Sequence, residues 1–127
     1  MSGDKVMRIA LWASVPYNLG AAVVVAFPTS ALSQLEGFPV RVHPIYGALL
    51  AGFAILFAGA YAWLAVQPII TRPLVFMSTV GTEMVFSTVA LFCWLGSVSW
   101  HLVFATSGDL LFGCIFFGWL FWGRPVT

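Results

Sequence analysis

Two carboxylic acids, Glu83 and Asp109, lie inside long apolar segments, where an ionisable side chain is unusual. An acid at the centre of a membrane-spanning helix costs roughly 2.5–3.5 kcal/mol to insert, so such residues normally face the interior of a helix bundle. Each acid lies about nine residues from one end of its segment, and Asn18 lies about ten residues into the first one, which places all three near mid-depth. We therefore predict a polar layer formed by Asn18, Glu83 and Asp109, with Tyr17 and Tyr61 nearby.

Two interpretations of this layer follow from its residue types. In the functional one, the acids bind the head group of a substrate or pass protons. In the structural one, the polar side chains join neighbouring helices through hydrogen bonds that contribute about 0.6 kcal/mol each. No Lys or Arg lies beside either acid within its apolar segment, so the sequence leaves both interpretations open.

His43 and His101 are the only histidines, and each lies at the start of an apolar segment. A pair of histidines can bind a metal or a haem. No Glu or Cys accompanies either one in a ligand motif, so we interpret them as interfacial side chains and predict no metal site. The chain also lacks the common sequence signatures of zinc proteases, serine hydrolases and phosphate-binding loops. We therefore expect a non-catalytic protein, and the sequence identifies no cofactor.

The composition defines the kind of element that must position these residues. Of the 127 residues, 61% are hydrophobic and 7% are charged, whereas soluble domains carry about 25% charged residues. This excludes an ordinary soluble domain, and the high hydrophobicity excludes a disordered chain. A net charge of +1 leaves no basic face for nucleic acid. The class of protein that remains is an integral membrane protein in contact with the lipid bilayer.

The apolar runs predict an all-α fold, a four-helix transmembrane bundle with short loops that forms a single domain over residues 1–127. An interfacial segment at about 29–37 follows the first span, with Thr29 or Ser30 as its N-cap and Gly37 at its end. Small residues recur along the second span, which predicts close helix packing there. The four predicted spans cover about 7–27, 45–66, 74–95 and 100–122.

The basic residues predict the orientation of the bundle. With four spans, both termini lie on one side, and that side carries Lys5, Arg8, Arg72 and Arg124, whereas the other carries Arg41. Because cytoplasmic loops are enriched in Lys and Arg, we expect both termini in the cytoplasm.

Three short runs together resemble small four-helix bacterial membrane proteins of the DoxX-like type. They are Tyr17-Asn18-Leu19-Gly20 followed by Phe27-Pro28, then Leu35-Glu36-Gly37-Phe38-Pro39, then Gly108-Asp109-Leu110-Leu111-Phe112. The resemblance implies a bacterial inner membrane protein, and some members are similar to the small subunit of a thiosulfate–quinone oxidoreductase. This chain departs from the family pattern in the third span, where Thr82-Glu83 replaces a lysine that follows a glycine.

These observations support three functional hypotheses. The leading one is a small accessory subunit, or a binder of a hydrophobic molecule such as a lipid or a quinone, with the polar layer at mid-depth. The second is a proton-coupled or ion-conducting transporter that acts as a homo-oligomer. The third is a membrane redox subunit that carries quinone or haem. A larger membrane complex or further copies of the chain are the expected partners.

Overall fold

The computed structural model describes residues 2–39 and 43–122, and within them the chain forms five helices and no strand. The four long helices are long and apolar enough to cross a membrane, which confirms the predicted all-α fold. The remaining helix is short and follows the first long helix. The helices are α1 (Gly3–Ala26), α2 (Ala31–Leu35), α3 (Pro44–Val66), α4 (Arg72–Trp94) and α5 (Trp100–Trp122).

The helix ends follow local sequence signals. Pro44 and Pro73 lie in the first turns of α3 and α4, where proline removes no helical hydrogen bond. Helix α1 begins at Gly3, earlier than predicted, and Asp4 lies in its first turn, where a negative charge complements the helix dipole. Ser30 caps α2 by accepting a hydrogen bond from the backbone N–H of Ser33.

The long helices pack in the spatial order α3, α1, α5, α4. Helix α1 packs along α3, α4 packs along α5, and α1 contacts α5 to join the two pairs. The predicted small-residue surface of α3 lies against α1: Gly47, Ala51 and Ala58 are buried, and a Cβ on Gly47 would overlap the backbone oxygen of Val25. The missing side chains therefore let these two helices approach closely.

A hydrophobic core closes the end of the bundle at which α1 and α4 begin and α3 and α5 end, which we call the closed end. Its most buried side chains are Met7, Leu11, Val75 and Phe116, each no more than 1% exposed. Polar contacts bind the same end together. Trp119 Nε1 donates to Asp4 Oδ1 at 2.9 Å, Arg8 donates to the backbone oxygens of Ala65 and Pro68, and Arg72 donates to that of Leu120.

Candidate functional site

A cavity of 710 Å³ occupies the opposite half of the bundle, between mid-depth and the end that carries α2. Helices α1, α4 and α5 form most of its wall, and Leu50 is the contribution of α3. Within the described residues, the lining is mainly apolar and includes five residues with polar side chains. These residues are Tyr17, Glu36, Thr88, Thr106 and Asp109.

Helical periodicity brings the lining residues together. Residues three and four apart share one face of a helix, and the cavity is lined from α1 and α5 by residues with this spacing. They are Tyr17, Gly20, Ala21 and Val24 on α1 and Leu102, Ala105, Thr106 and Asp109 on α5.

Tyr17 and Asp109 form the polar contact at the mid-depth end of the cavity. The Tyr17 hydroxyl lies 2.8 Å from the backbone oxygen of Ala105 and 3.3 Å from Asp109 Oδ2. A tyrosine hydroxyl has one proton to donate, and the shorter distance favours Ala105 as its acceptor. The carboxyl group of Asp109 therefore keeps most of its hydrogen-bonding capacity beside the cavity.

Gly108 sets the position of the Tyr17 ring. A Cβ built on Gly108 would lie 2.5 Å from Tyr17 Cε2, so the ring rests directly on the backbone of α5. Phe112 meets the same ring edge-on, with 5.5 Å between the ring centroids. The absence of a side chain at Gly108 is thus what lets Tyr17 reach Asp109, a role that the sequence analysis did not assign to this glycine.

The α2 segment forms the roof of the cavity, which Leu32, Glu36 and Phe38 line. The buried Ser33 hydroxyl ties this segment to the end of α1, since its Oγ lies 2.6 Å from the backbone oxygen of Val24 and 2.8 Å from that of Phe27. The predicted interfacial helix is therefore a cover over the cavity as well as a surface element.

Gly37 connects the roof to the turn between α4 and α5. It adopts a φ of 70°, which L side chains rarely adopt. A Cβ at this position would also overlap the Ser99 hydroxyl and press on His101. The predicted helix-ending role of Gly37 thus coincides with a close contact between the roof and α5.

Glu36 is a site residue that the sequence analysis missed. It follows α2 and lines the cavity, and partial burial raises the pKa of its carboxyl above the usual value. The sequence assigns Glu36 to a polar connection, where a charged side chain is ordinary. The available signal was its place one turn after Leu32, since residues four apart share one face of a helix.

Glu83 lies at a different surface from Asp109. It lines a groove of 380 Å³ on the α4–α5 pair together with Thr79, Ser87 and Phe117. Its carboxyl group lies against Gly113 of α5, one helical turn along from Asp109. The structure therefore brings the two acids near each other but directs only Asp109 to the cavity.

Asn18 and Tyr61, the other predicted members of the polar layer, do not line the cavity. The Asn18 amide donates to the backbone oxygen of Ser14 in the same helix at 2.8 Å. Tyr61 is 3% exposed and packs in the closed-end core, with 5.8 Å between its ring centroid and that of Phe116. The mid-depth contact that forms at the cavity is thus the Tyr17–Asp109 pair.

The two histidines lie near the α2 end of the bundle in separate roles. His43 caps α3, with its Nδ1 accepting from the Ile45 N–H at 3.3 Å, whereas His101 stacks on Trp100 with ring centroids 4.0 Å apart. Over residues 2–39 and 43–122, no group of three or more His, Cys, Asp or Glu side chains could hold a metal ion.

Comparison of the chain with protein families, with curated proteins and with solved structures finds no match.

Proposed function

We propose that this protein binds a hydrophobic molecule with a polar head inside the membrane. The cavity carries this proposal. Its 710 Å³ falls within the roughly 300–1,000 Å³ of small-molecule sites, which are mainly apolar with a few polar groups that fix orientation. The apolar wall would hold the hydrocarbon part of the ligand, and Tyr17 and Asp109 would hold the head.

The packing of the helices supports entry from the lipid. Helices α3 and α4 are consecutive in the chain, but α3 packs along α1 and α4 packs along α5. Within the part of the chain that the structure describes, α3 and α4 do not pack along each other. Leu50 of α3 and Val85 of α4 both line the cavity. A hydrophobic molecule would reach the cavity between these two helices without crossing water.

The closed end favours binding over continuous ion conduction. A polar path through the bundle would have to pass Met7, Leu11 and Phe116, which are almost fully buried and apolar. A transporter would therefore need a second conformation that opens this core.

The resemblance to DoxX-like proteins adds a quinone to the candidate ligands, and the ligand-binding chain would then serve as an accessory or redox subunit of a larger complex.

The charge distribution supports a proposed orientation. Lys5, Arg8 and Arg72 lie at the closed end, and the enrichment of Lys and Arg in cytoplasmic loops supports the proposal that this end faces the cytoplasm. In a bacterial inner membrane, the α2 roof and the cavity would then face the outer side.

The proposal is tested by filling the cavity. A Cβ on Gly20 meets nothing within 4 Å and Gly20 lines the cavity, so Gly20→Leu places a side chain in the ligand space. Gly52→Leu is the matched control, because Gly52 is exposed on α3 and its Cβ also meets nothing within 4 Å. Each protein is purified in mild detergent and extracted with organic solvent, and the extract is analysed by mass spectrometry and ultraviolet absorption.

We expect one hydrophobic compound in near-equal molar amount with the wild type and with Gly52→Leu, and a strongly reduced amount with Gly20→Leu. Equal amounts in both variants, or no compound in any preparation, would contradict the proposal. Proteins that copurify in the same preparations test the accessory-subunit role directly.

A further inference from the structure

Among the described residues, both charged groups that line the cavity are acidic. Asp109 lies on the mid-depth wall and Glu36 on the roof, and no Lys, Arg or His is among the described residues that line it. We infer that the cavity selects a hydrophobic cation, such as a lipophilic amine, a quaternary ammonium or a phosphonium. This inference rests on the proposed function and narrows it to one chemical class of ligand.

Asp109 is the first observation behind this inference. Within residues 2–39 and 43–122, its one hydrogen-bonding contact is the 3.3 Å approach of the Tyr17 hydroxyl, which has a closer acceptor in Ala105. A carboxylate in an apolar setting is costly unless it is paired. A cationic ligand would supply this missing partner, whereas beside a neutral ligand the group would stay unpaired or have to take up a proton.

The aromatic lining is the second observation. Tyr17 and Phe38 both line the cavity, at its mid-depth wall and at its roof respectively. A cation over an aromatic face gains about 0.5–2 kcal/mol, and more when water is excluded. Aromatic rings combined with a carboxyl group are a suitable surface for an organic cation whose charge is surrounded by carbon.

The third observation is the arrangement of the two acids along the cavity. Glu36 lies at the α2 end, and Asp109 lies at mid-depth. Acidic groups at the rim of a cavity with low-dielectric walls raise the local concentration of cations. A cation would therefore be attracted first by Glu36 and held by Asp109, and an anionic lipid would be repelled by both.

Two probes of nearly the same size and shape but opposite charge test the inference. Tetraphenylphosphonium is the cation and tetraphenylborate is the anion, and the binding of each to the purified wild-type protein is measured by equilibrium dialysis in an uncharged detergent. We expect saturable binding of the phosphonium at one per chain and no saturable binding of the borate. This comparison needs no variant, so it does not depend on the folding of any mutant.

Variants then assign the binding to the cavity. We expect Asp109→Asn to weaken phosphonium binding at least about tenfold, because it removes a charge from an apolar site. Glu36→Gln, at the wetter roof, should weaken it about two- to fivefold. Asp4→Asn is the matched control, because Asp4 lies at the closed end of the bundle, where an amide oxygen can still accept from Trp119 Nε1, and it should leave the affinity within a factor of about two.

Equal saturable binding of both probes, absence of phosphonium binding, or unchanged affinity in both cavity variants would overturn the inference. The outcome is separate from that of the proposed function. If Gly20→Leu depletes a copurified neutral compound while the phosphonium fails to bind, the cavity is a ligand site and the cationic class is wrong.

Discussion

The contact between Gly108 and Tyr17 gives a prediction whose magnitude can be worked out from the structure. In Gly108→Ala, the new methyl group would lie 2.5 Å from Tyr17 Cε2 and 2.6 Å from Cζ, which is far inside van der Waals contact. The ring must move, because the methyl group is fixed to the α5 backbone. Movement of the ring takes the hydroxyl away from Ala105 and Asp109, so the polar contact of the cavity is lost.

Gly118→Ala is the control for this change. Both glycines lie within α5, and a Cβ on Gly118 would meet Trp122 at an ordinary 3.7 Å. Replacing glycine by alanine inside a helix adds about 0.8–1.0 kcal/mol of stability from helix propensity, and this gain is common to both variants. The difference between them therefore isolates what the methyl group does to Tyr17.

The expected difference in the free energy of unfolding is the sum of two costs. Overpacking costs about 1–3 kcal/mol, and the lost hydrogen bond costs about 0.6 kcal/mol in a membrane bundle. Gly108→Ala should thus be about 2–4 kcal/mol less stable than Gly118→Ala. The assay is thermal unfolding in detergent followed by tryptophan fluorescence, with the copurified compound measured in parallel.

Gly108→Ala should also lose most of that compound, whereas Gly118→Ala should retain it. Two variants of equal stability and equal ligand content would refute the packing of Tyr17 on Gly108 as the determinant of the site. Loss of stability with full ligand retention would separate the two roles and show that the Tyr17–Asp109 contact is structural.

Two further predictions concern the roof of the cavity. Gly37→Ala should lower stability more than Gly96→Ala. Both residues have positive φ and incur a backbone cost of about 1–2 kcal/mol, but only at Gly37 would a Cβ overlap a neighbour, the Ser99 hydroxyl. Equal thermal midpoints of the two variants would contradict the contact between Gly37 and Ser99. Burial raises the pKa of the Glu36 carboxyl above 4.5, so the folded state binds the carboxyl proton more tightly than the unfolded state does. The contribution of Glu36 to stability therefore falls as pH rises from 4.5 through the raised pKa. The thermal midpoint of the wild type, measured relative to that of Glu36→Gln, should therefore decrease with pH over this range, and a constant difference would contradict the burial of the carboxyl.

The sequence predicted the elements of the fold well because their signals are local. Four apolar stretches, separated by polar turns with prolines at the starts of α3 and α4, define the long helices through hydropathy and helix-end chemistry. The Ser30 cap and the Gly37 turn of α2 depend on the same kind of short-range signal. Each of these features is set by residues within a few positions of one another.

The faces of the helices could not be predicted in the same way. In a membrane bundle, lipid-facing and protein-facing surfaces are both apolar, so the sequence carries no amphipathic pattern that shows which side points inward. For this reason, depth alone grouped Asn18, Glu83 and Asp109, although only Asp109 lines the cavity. Glu36 was missed because its place over the cavity depends on how the chain folds back after α1.

The two halves of the bundle differ in the size of the side chains at the helix contacts. At the closed end, Met7, Leu11 and Phe116 fill the space between helices, and the hydrogen bonds of Arg8 and Arg72 hold the helix ends together. Toward α2, α1 and α5 present several small residues to the cavity, among them Gly20, Ala21 and Ala105. The small side chains on α1 and α5 leave space between the helices, and a ligand that fills it would supply the packing that the closed end obtains from its own side chains.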